Sequence, residues 1–200
     1  MLTVCCIKFG EYYTAEYVNI LCAGVQKHLK ASHEFVCFTD DPTGINSSVD
    51  CRARPDFGTW WNKYWCFRVH GGPVLYLDLD VCVTGPLDRI ATYCPGIVED
   101  WLVTDQYNGS VISWEDGQLN PLLYSYNEGI KDRYRGFQYW MSEEPLRGAL
   151  GMRTYPAGWC VSYREHAIEE PPATCSVVCF HGQPKPHHVT EGWVADAWRI

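Results

Sequence analysis

The sequence predicts a single α/β domain with a mostly parallel central sheet over residues 1–200. In the first half of the chain, short apolar runs alternate with amphipathic stretches, a pattern typical of β-α-β units. The run Val74–Leu77 is apolar at every position, as expected for a strand that is covered on both faces. A length of 200 residues suits one domain with a substantial core.

The N-terminal part of the chain has the pattern strand, helix, strand. Residues 3–8 form an apolar run that ends before Gly10, residues 13–29 show helical spacing, and residues 34–39 form a second strand, closed by turn-forming residues. Because the crossover in a β-α-β unit makes its strands parallel, the loops after both strands lie at one edge of the sheet. Open α/β folds bind ligands at that edge.

The remaining elements are shorter. Aromatic residues with helical spacing follow Gly58 until Gly71 and Gly72 stop them, and further helices are expected at residues 122–130 and 137–144. Apolar runs predict strands at residues 74–77, 111–113 and 177–180, and residues 81–83 resume the apolar character after the first of these. Residues 181–200 lack a regular period and are expected to form a C-terminal tail that closes over the site.

Composition and charge restrict the classes of function. The net charge of -8 disfavours binding to nucleic acid through a broad basic surface. The apolar runs are far shorter than the roughly 18 residues that a membrane-spanning helix needs. Nine Trp and thirteen Tyr suit a ligand with apolar faces and hydroxyl groups, such as a sugar, although core packing accounts for many of these rings equally well. Eleven scattered cysteines without a secretion signal predict reduced thiols and a cytoplasmic protein.

The main candidate for a chemical site is Asp78-Leu79-Asp80, directly after the apolar strand. Two carboxylates at the end of a buried strand repel each other, so a cation is expected to offset their charge. Mg²⁺ and Mn²⁺ prefer oxygen ligands and are commonly held by one or two carboxylates together with substrate phosphates. The segment therefore predicts a divalent metal that stabilises a diphosphate leaving group.

The segment YLDLDVCVTGPLD, residues 76–88, resembles the DxD segment of GT-A glycosyltransferases, particularly the family 8 type that includes glycogenin and bacterial lipopolysaccharide galactosyltransferases. VCFTDD, WWNKYW, YNGSV and FHGQPKP, in this order along the chain, resemble other motifs of that family. The resemblance covers residues 3–186. It implies a single Rossmann-like GT-A domain that transfers a sugar from a nucleotide-sugar donor, such as a UDP-sugar, to a hydroxyl acceptor, with Mn²⁺ or Mg²⁺ as cofactor and with retention at the anomeric carbon.

The predicted site residues follow from the sheet edge and from the resemblance. Lys8 and either Tyr12 or Tyr13 leave the same sheet edge and are expected to border the nucleoside, where a tyrosine could stack on the base. The resemblance implies that Asp78, Asp80 and His181 bind the metal. It further implies that the donor is bound by Asp41 or Asp40, Asn62, Lys63, Asp78, Gly182 and Lys185.

Two departures from the family pattern affect the mechanism. Phe137-Gln138-Tyr139 stands where the family usually has Asp-Gln-Asp, so Gln138 is the candidate to stabilise the anomeric centre, with Asn108 beside the sugar and acceptor. If the reaction inverts instead, Asp105 or Asp100 is the candidate base. His181 and Lys185 are closer together than in the family, which predicts a shorter path for the tail.

Other functions remain open on sequence grounds. The two acids missing around Gln138 would suit a noncatalytic protein that binds a nucleotide-sugar or carbohydrate. A phage-type enzyme that glycosylates modified DNA is disfavoured by the acidic composition. A phosphoryl or nucleotidyl transferase is expected to show further acidic ligands for a second metal. The sugar, the acceptor and the oligomeric state cannot be read from the sequence.

Overall fold

The computed structural model describes residues 1–199, which form two sheets surrounded by short helices. The strands are β1 Leu2–Lys8, β2 His33–Thr39, β3 Asp50–Ala53, β4 Val74–Leu77, β5 Val81–Val83, β6 Gly96–Glu99, β7 Tyr107–Trp114, β8 Arg153–Thr154, β9 Cys160–Ser162 and β10 Val177–Cys179. The α-helices are α1 Ala15–His28, α2 Tyr64–Phe67, α3 Asp88–Ala91, α4 Asn120–Ser125, α5 Glu128–Arg133, α6 Phe137–Met141, α7 Leu146–Leu150, α8 Tyr163–His166 and α9 Gly192–Ala197. Short 3-10 helices cover Thr59–Lys63 and Pro186–His188.

The larger sheet has seven strands in the order β3-β2-β1-β4-β7-β6-β8. The first four strands are mutually parallel, whereas β7 runs antiparallel to both of its neighbours, β4 and β6. The predicted α/β class and mostly parallel sheet are confirmed. The carboxyl ends of β1, β2 and β4 therefore meet at one edge, where Asp78 and Asp80 follow β4.

Strand β4 lies between the two hydrophobic cores, as its sequence predicts. Leu75 and Leu77 belong to the core that includes α1, while Val74 and Tyr76 face the second core on the other side of the sheet. All four side chains are fully buried. Alternation along a strand places successive side chains on opposite faces, so an uninterrupted apolar run is required here.

The smaller sheet, in the order β5-β10-β9, brings the C-terminal motif to the carboxylates. Strands β5 and β10 are antiparallel, with Cys179 opposite Val81. The backbone N–H of Phe180 then donates to the carbonyl oxygen of Asp80 at 3.1 Å. Two segments about a hundred residues apart in sequence thereby lie side by side.

Several elements differ from the sequence prediction. The helix expected at residues 122–130 is broken into α4 and α5, because Tyr126 and Asn127 adopt extended backbone angles. The segment 59–70 forms a 3-10 helix and a single α-helical turn. The tail contains α9, whose Val194 is buried in the core. Elements of two to six residues, including β3, β6, β8 and β9, are too short to show a period.

Two further features concern the cysteines and the helices. All eleven cysteines are free thiols. Among residues 1–199, every helix is too short or too polar to cross a membrane.

Candidate active site

Asp78 is held by a lysine, a tyrosine and the neighbouring strand. Lys63 Nζ lies 3.0 Å from Asp78 Oδ1 and also donates to the carbonyl oxygen of Gly109 at 2.7 Å. The Tyr76 hydroxyl donates to Asp78 Oδ1 at 2.5 Å. Lys63 and Tyr76 are both buried, whereas the Asp78 side chain keeps about a quarter of its surface exposed, at 24%. One side of this carboxylate therefore remains open to a ligand.

Asp80 has a similar set of partners from other elements. Lys185 Nζ donates to Asp80 Oδ2 and, at 3.1 Å, to the carbonyl oxygen of Phe180. The Tyr13 hydroxyl donates to the same carboxylate oxygen at 2.8 Å. Asp80 and Lys185 are 9% and 7% exposed, so the ion pair is almost removed from water. Breaking such a pair is costly, because the remaining charge stays buried without a partner.

These contacts change the interpretation of the two carboxylates. The sequence argument required a cation to offset their repulsion, and in the structure two buried lysines supply that charge. Burial and the neighbouring Asp78 raise the pKa of Asp80, while Lys185 and Tyr13 act in the opposite direction. Burial also raises the pKa of Tyr13 and of Tyr76, with the adjacent carboxylates adding to the shift, so both phenols remain protonated donors.

The donor set only partly matches the predicted metal site. Two carboxylates with an adjacent diphosphate are a common arrangement for Mg²⁺. His181, the expected third ligand, instead has its Nε2 2.6 Å from Ser162 Oγ and its ring stacked on Trp101. Within residues 1–199, no three His, Cys, Asp or Glu side chains are grouped so that they could hold a metal. Asp78, Asp80 and His181 stay the predicted metal ligands, with His181 in contact with Ser162 in this structure.

Gln138 is connected to Asp78 through the backbone of Gly109. Gln138 Oε1 accepts from the Gly109 N–H at 3.3 Å, while the Gly109 carbonyl accepts from Lys63. A Cβ at Gly109 would lie 3.1 Å from Lys63 Nζ and 3.4 Å from Gln138 Oε1, so a larger residue would crowd both groups. A single residue, Gly109, therefore links Gln138 to the Lys63–Asp78 ion pair.

Three donor-binding candidates lie at the ends of β1 and β2. Lys8 is buried, and its Nζ reaches the carbonyl oxygen of Asp41 at 3.5 Å. Asp41 is exposed, and its carboxylate accepts from the Thr43 N–H at 2.9 Å, which shapes the turn after β2. Hydrogen bonds from the Thr43 side chain and then from its backbone N–H lower the pKa of Asp41. Tyr12 is 68% exposed and packs edge-on against Tyr13, with 4.8 Å between the ring centroids. The structure thus leaves Tyr12 accessible to a base, while Tyr13 is turned to Asp80.

The other predicted residues differ in how free they are to bind a ligand. Asn62 is buried. Its side-chain NH₂ group donates to the Asp56 carboxylate and to the Thr59 carbonyl, and its Oδ1 accepts from the Phe57 N–H. Asn62 therefore shapes the loop before the 3-10 helix. Asn108 is also buried, and its Oδ1 accepts from the Ser110 N–H at 3.0 Å.

The two remaining candidates are exposed. Asp105 pairs with Arg147, with 3.7 Å between Asp105 Oδ1 and Arg147 NH2, so the candidate base for an inverting reaction is turned to a surface arginine. Gly182 is exposed and has a φ of 73°, a conformation that favours glycine at the turn after β10.

The sequence analysis did not assign a carboxylate contact to Tyr13 or Tyr76. Tyr76 could have been identified, because residues two apart on a strand share a face and Tyr76 precedes Asp78 by two. Tyr13 was considered only for stacking on a base. Its contact with Asp80 depends on how α1 packs beside β5, which no local pattern indicates.

The fold matches that of solved glycosyltransferases. The galactosyltransferase LgtC, solved with donor and acceptor sugar analogues, gives a TM-score of 0.68 at 13% identity, over 98% of this chain and 93% of LgtC. An active-site mutant of LgtC gives 0.59 at 13% identity, with the same coverage. GlyE of Streptococcus pneumoniae gives 0.68 at 14% identity, over 99% of this chain and 60% of GlyE, so the chain spans less than two thirds of that protein. No protein-family model and no curated protein matches the chain.

These likenesses extend over almost the whole chain at low sequence identity, which establishes the architecture. The chain therefore has the GT-A fold of the glycosyltransferases and resembles family 8 among them.

Proposed function

We propose that this protein is a glycosyltransferase that moves a hexose from a nucleotide-sugar, a UDP-sugar, to a hydroxyl group of a glycan or other acceptor, with retention at the anomeric carbon. The observation that carries the proposal is the convergence of Asp78, Asp80, Lys63 and Lys185 at the carboxyl edge of a GT-A sheet. Retention is taken from the resemblance to family 8.

The two lysines suit a diphosphate leaving group. As the bond to the sugar breaks, negative charge develops on the diphosphate, and positive groups fixed in a water-poor site stabilise it strongly. Lys63 and Lys185 are buried and lie beside the two carboxylates that follow β4. Their ammonium groups are therefore positioned to neutralise the departing nucleoside diphosphate.

Asp78 and Asp80 are the residues that would hold a Mn²⁺ or Mg²⁺ ion. Such an ion supplies further charge stabilisation for the diphosphate. Because Lys185 already occupies Asp80 Oδ2, the ion and the ammonium group compete for that oxygen. We therefore infer a metal requirement that depends on the donor being present, since the diphosphate offers Lys185 other oxygens.

Gln138 is the proposed contact to the reacting sugar. Its Oε1 accepts from the Gly109 N–H, which orients the amide. An amide in this position can donate to a sugar hydroxyl or ring oxygen. Phe137 belongs to the aromatic core, packing at 4.6 Å from Trp61, so a core residue replaces the first of the two acids at this motif.

Mn²⁺-dependent release of nucleoside diphosphate from a panel of nucleotide-sugars tests the proposal. The wild type is compared with Asp80→Asn, and Asp116→Asn serves as a control because Asp116 is an exposed carboxylate paired with His70. We expect one donor to be turned over by the wild type and the control, and turnover to fall by about 10²–10³ in Asp80→Asn. The anomeric configuration of the product, read by NMR, tests retention.

One observation favours a noncatalytic alternative. Each carboxylate is already paired with a buried lysine, so the site is charge-balanced without a metal. Calorimetric binding of a nucleotide-sugar with no turnover in the presence of varied hydroxyl acceptors would support a binding protein. If the protein neither binds nor turns over any nucleotide-sugar, the donor-site assignment is contradicted.

We also propose that the protein is cytoplasmic, since eleven free thiols suit a reducing compartment.

A further inference from the structure

A groove lined by basic and aromatic side chains lies on the outer part of the large sheet, away from the carboxylate pair. This basic groove has a volume of about 470 Å³ and is defined by Phe38, Arg52, Arg54, Trp65, Arg68, Val69 and His70. Its walls are the edge strand β3 with the residue that follows it, and helix α2 with its C-terminal extension. Three arginines and a histidine line it, in a protein whose net charge is -8.

The register of the β2–β3 pair forms one wall of the groove. Phe38 of β2 is opposite Arg52 of β3 in a parallel pair, and Arg54 follows two residues later on the same side. These side chains face α2, which supplies Trp65 from across the groove. The guanidinium carbon of Arg54 lies 5.6 Å from the Phe38 ring centroid and 5.7 Å from that of Trp65. The floor is therefore aromatic and the rim is cationic.

The charges in the groove are not balanced within it. Arg52 bonds Asp50 and Glu34, and His70 bonds Asp116, so these two groups have carboxylate partners. Arg54 donates to the carbonyl oxygen of Ala53, and Arg68 donates to the Tyr64 hydroxyl. Within residues 1–199, neither Arg54 nor Arg68 has a carboxylate oxygen within 4.0 Å.

The groove is separate from the donor site. Strand β3 is three places from β4 in the sheet, which corresponds to about 14 Å at the usual spacing of neighbouring strands. The backbone N–H of Arg54 donates to the carbonyl oxygen of Thr39 at 3.0 Å, so the groove begins near the end of β2. Lys63, which reaches Asp78, is absent from its lining.

We propose that the basic groove binds a small ligand that carries an oxyanion, a phosphate or a carboxylate, on an apolar or planar body. Guanidinium groups bind both oxyanions through paired hydrogen bonds, and aromatic faces accept flat or sugar-like bodies. Arg54 and Arg68 receive the oxyanion, while the partly exposed ring of Trp65 contacts the body. The site does not depend on glycosyl transfer.

The Trp65 indole N–H, which bonds the Pro55 carbonyl at 3.2 Å, provides a local probe. In a ¹⁵N–¹H spectrum, the signal of Trp65 among the nine tryptophans is identified by its loss in Trp65→Phe. Phenyl phosphate and benzoate are titrated as the two oxyanion probes, with benzyl alcohol as the neutral one. The test variant, Arg54→Gln/Arg68→Gln, changes two exposed residues of the groove. The control variant, Arg133→Gln/Arg135→Gln, removes the same charge elsewhere on the surface.

We expect phenyl phosphate, benzoate or both to shift the Trp65 signal saturably, with at least tenfold weaker binding in Arg54→Gln/Arg68→Gln and unchanged binding in the control variant. Saturation by phenyl phosphate alone assigns a phosphate ligand, and saturation by benzoate alone assigns a carboxylate. Equal saturation by benzyl alcohol, no saturable shift with either anion, or unchanged affinity in a folded Arg54→Gln/Arg68→Gln variant would overturn the proposal.

Discussion

Replacing Lys185 with methionine keeps most of the buried side-chain volume but removes the charge that faces Asp80. Because the pair is more than 90% buried, the carboxylate loses its main partner without gaining access to water. Removal of one partner of a buried ion pair typically costs about 3–5 kcal/mol. The Tyr13 hydroxyl remains in place, which favours the lower half of this range.

The expected change is large enough for a simple thermal assay. At about 2.1 cal/mol/K of unfolding entropy per residue, the 200-residue chain loses about 1 °C for every 0.4 kcal/mol. The lower half of the range therefore predicts that the Lys185→Met variant melts roughly 7–10 °C below the wild type. The difference should shrink as the pH falls, because the pKa of Asp80 is raised and its protonation removes the uncompensated charge. Differential scanning calorimetry at neutral and acidic pH measures both effects.

A double substitution separates the lost charge from lost packing. Asp80→Asn/Lys185→Met removes both charges of this pair, so it should recover most of the stability that Lys185→Met loses. Added Mn²⁺ should raise the melting temperature of Lys185→Met more than that of the wild type, because the ion then meets no competing ammonium group. A loss below 2 °C or so, equivalent to about 1 kcal/mol, or a double variant no more stable than Lys185→Met, would refute the reasoning.

Three smaller changes test other contacts. Tyr13→Phe removes a hydroxyl that donates to buried Asp80 and should lower the free energy of unfolding in urea by about 1–2 kcal/mol. Tyr12→Phe, at an exposed position, should have no effect. Equal urea midpoints for the two variants would contradict the contact between Tyr13 and Asp80. Phe137→Ala should cost about 3–5 kcal/mol in the same assay, because it opens a cavity in the aromatic core, and a loss below about 1 kcal/mol would mean that the core refills. His181 should titrate by NMR with a pKa below about 6.5, since partial burial lowers its pKa. The neutral imidazole then favours the folded state, and its contribution to stability should fall as the pH drops through the pKa of the unfolded state. A measured pKa above the unfolded value would show that the imidazole is held as a cation.

Much of the fold is determined by local patterning. The alternation of apolar runs and amphipathic stretches predicted β1, α1 and β2, and the uninterrupted Val74–Leu77 run predicted a strand with a core on each face. Since parallel strands end at one edge, the position of Asp78 and Asp80 at that edge was also readable. Several short elements were missed, because a helix of four to six residues, such as α3 or α9, is too short to show a period.

The electrostatics of the site could not be read in the same way. The sequence predicted a divalent metal as the positive charge near the carboxylates, and the structure adds two buried lysines that pair with them. Lys63 is 15 residues from Asp78, and Lys185 is 105 residues from Asp80. Their contacts depend on β10 pairing with β5 and on the 3-10 helix packing beside β7, both of which are long-range events. His181 was predicted from its motif alone, and the path of the chain after β10 turns it to Ser162.

The sequence by itself thus determined the α/β architecture, the sheet edge that carries the site, and the carboxylates that occupy it, because periodicity and strand burial are local properties. Only the tertiary structure decided which groups neutralise those carboxylates, that Tyr13 is a hydrogen-bond donor to Asp80, and that Arg52, Arg54 and Arg68 share one groove. Contacts between residues far apart in sequence depend on strand register and on the path of loops, and neither is encoded in a local pattern of residue types.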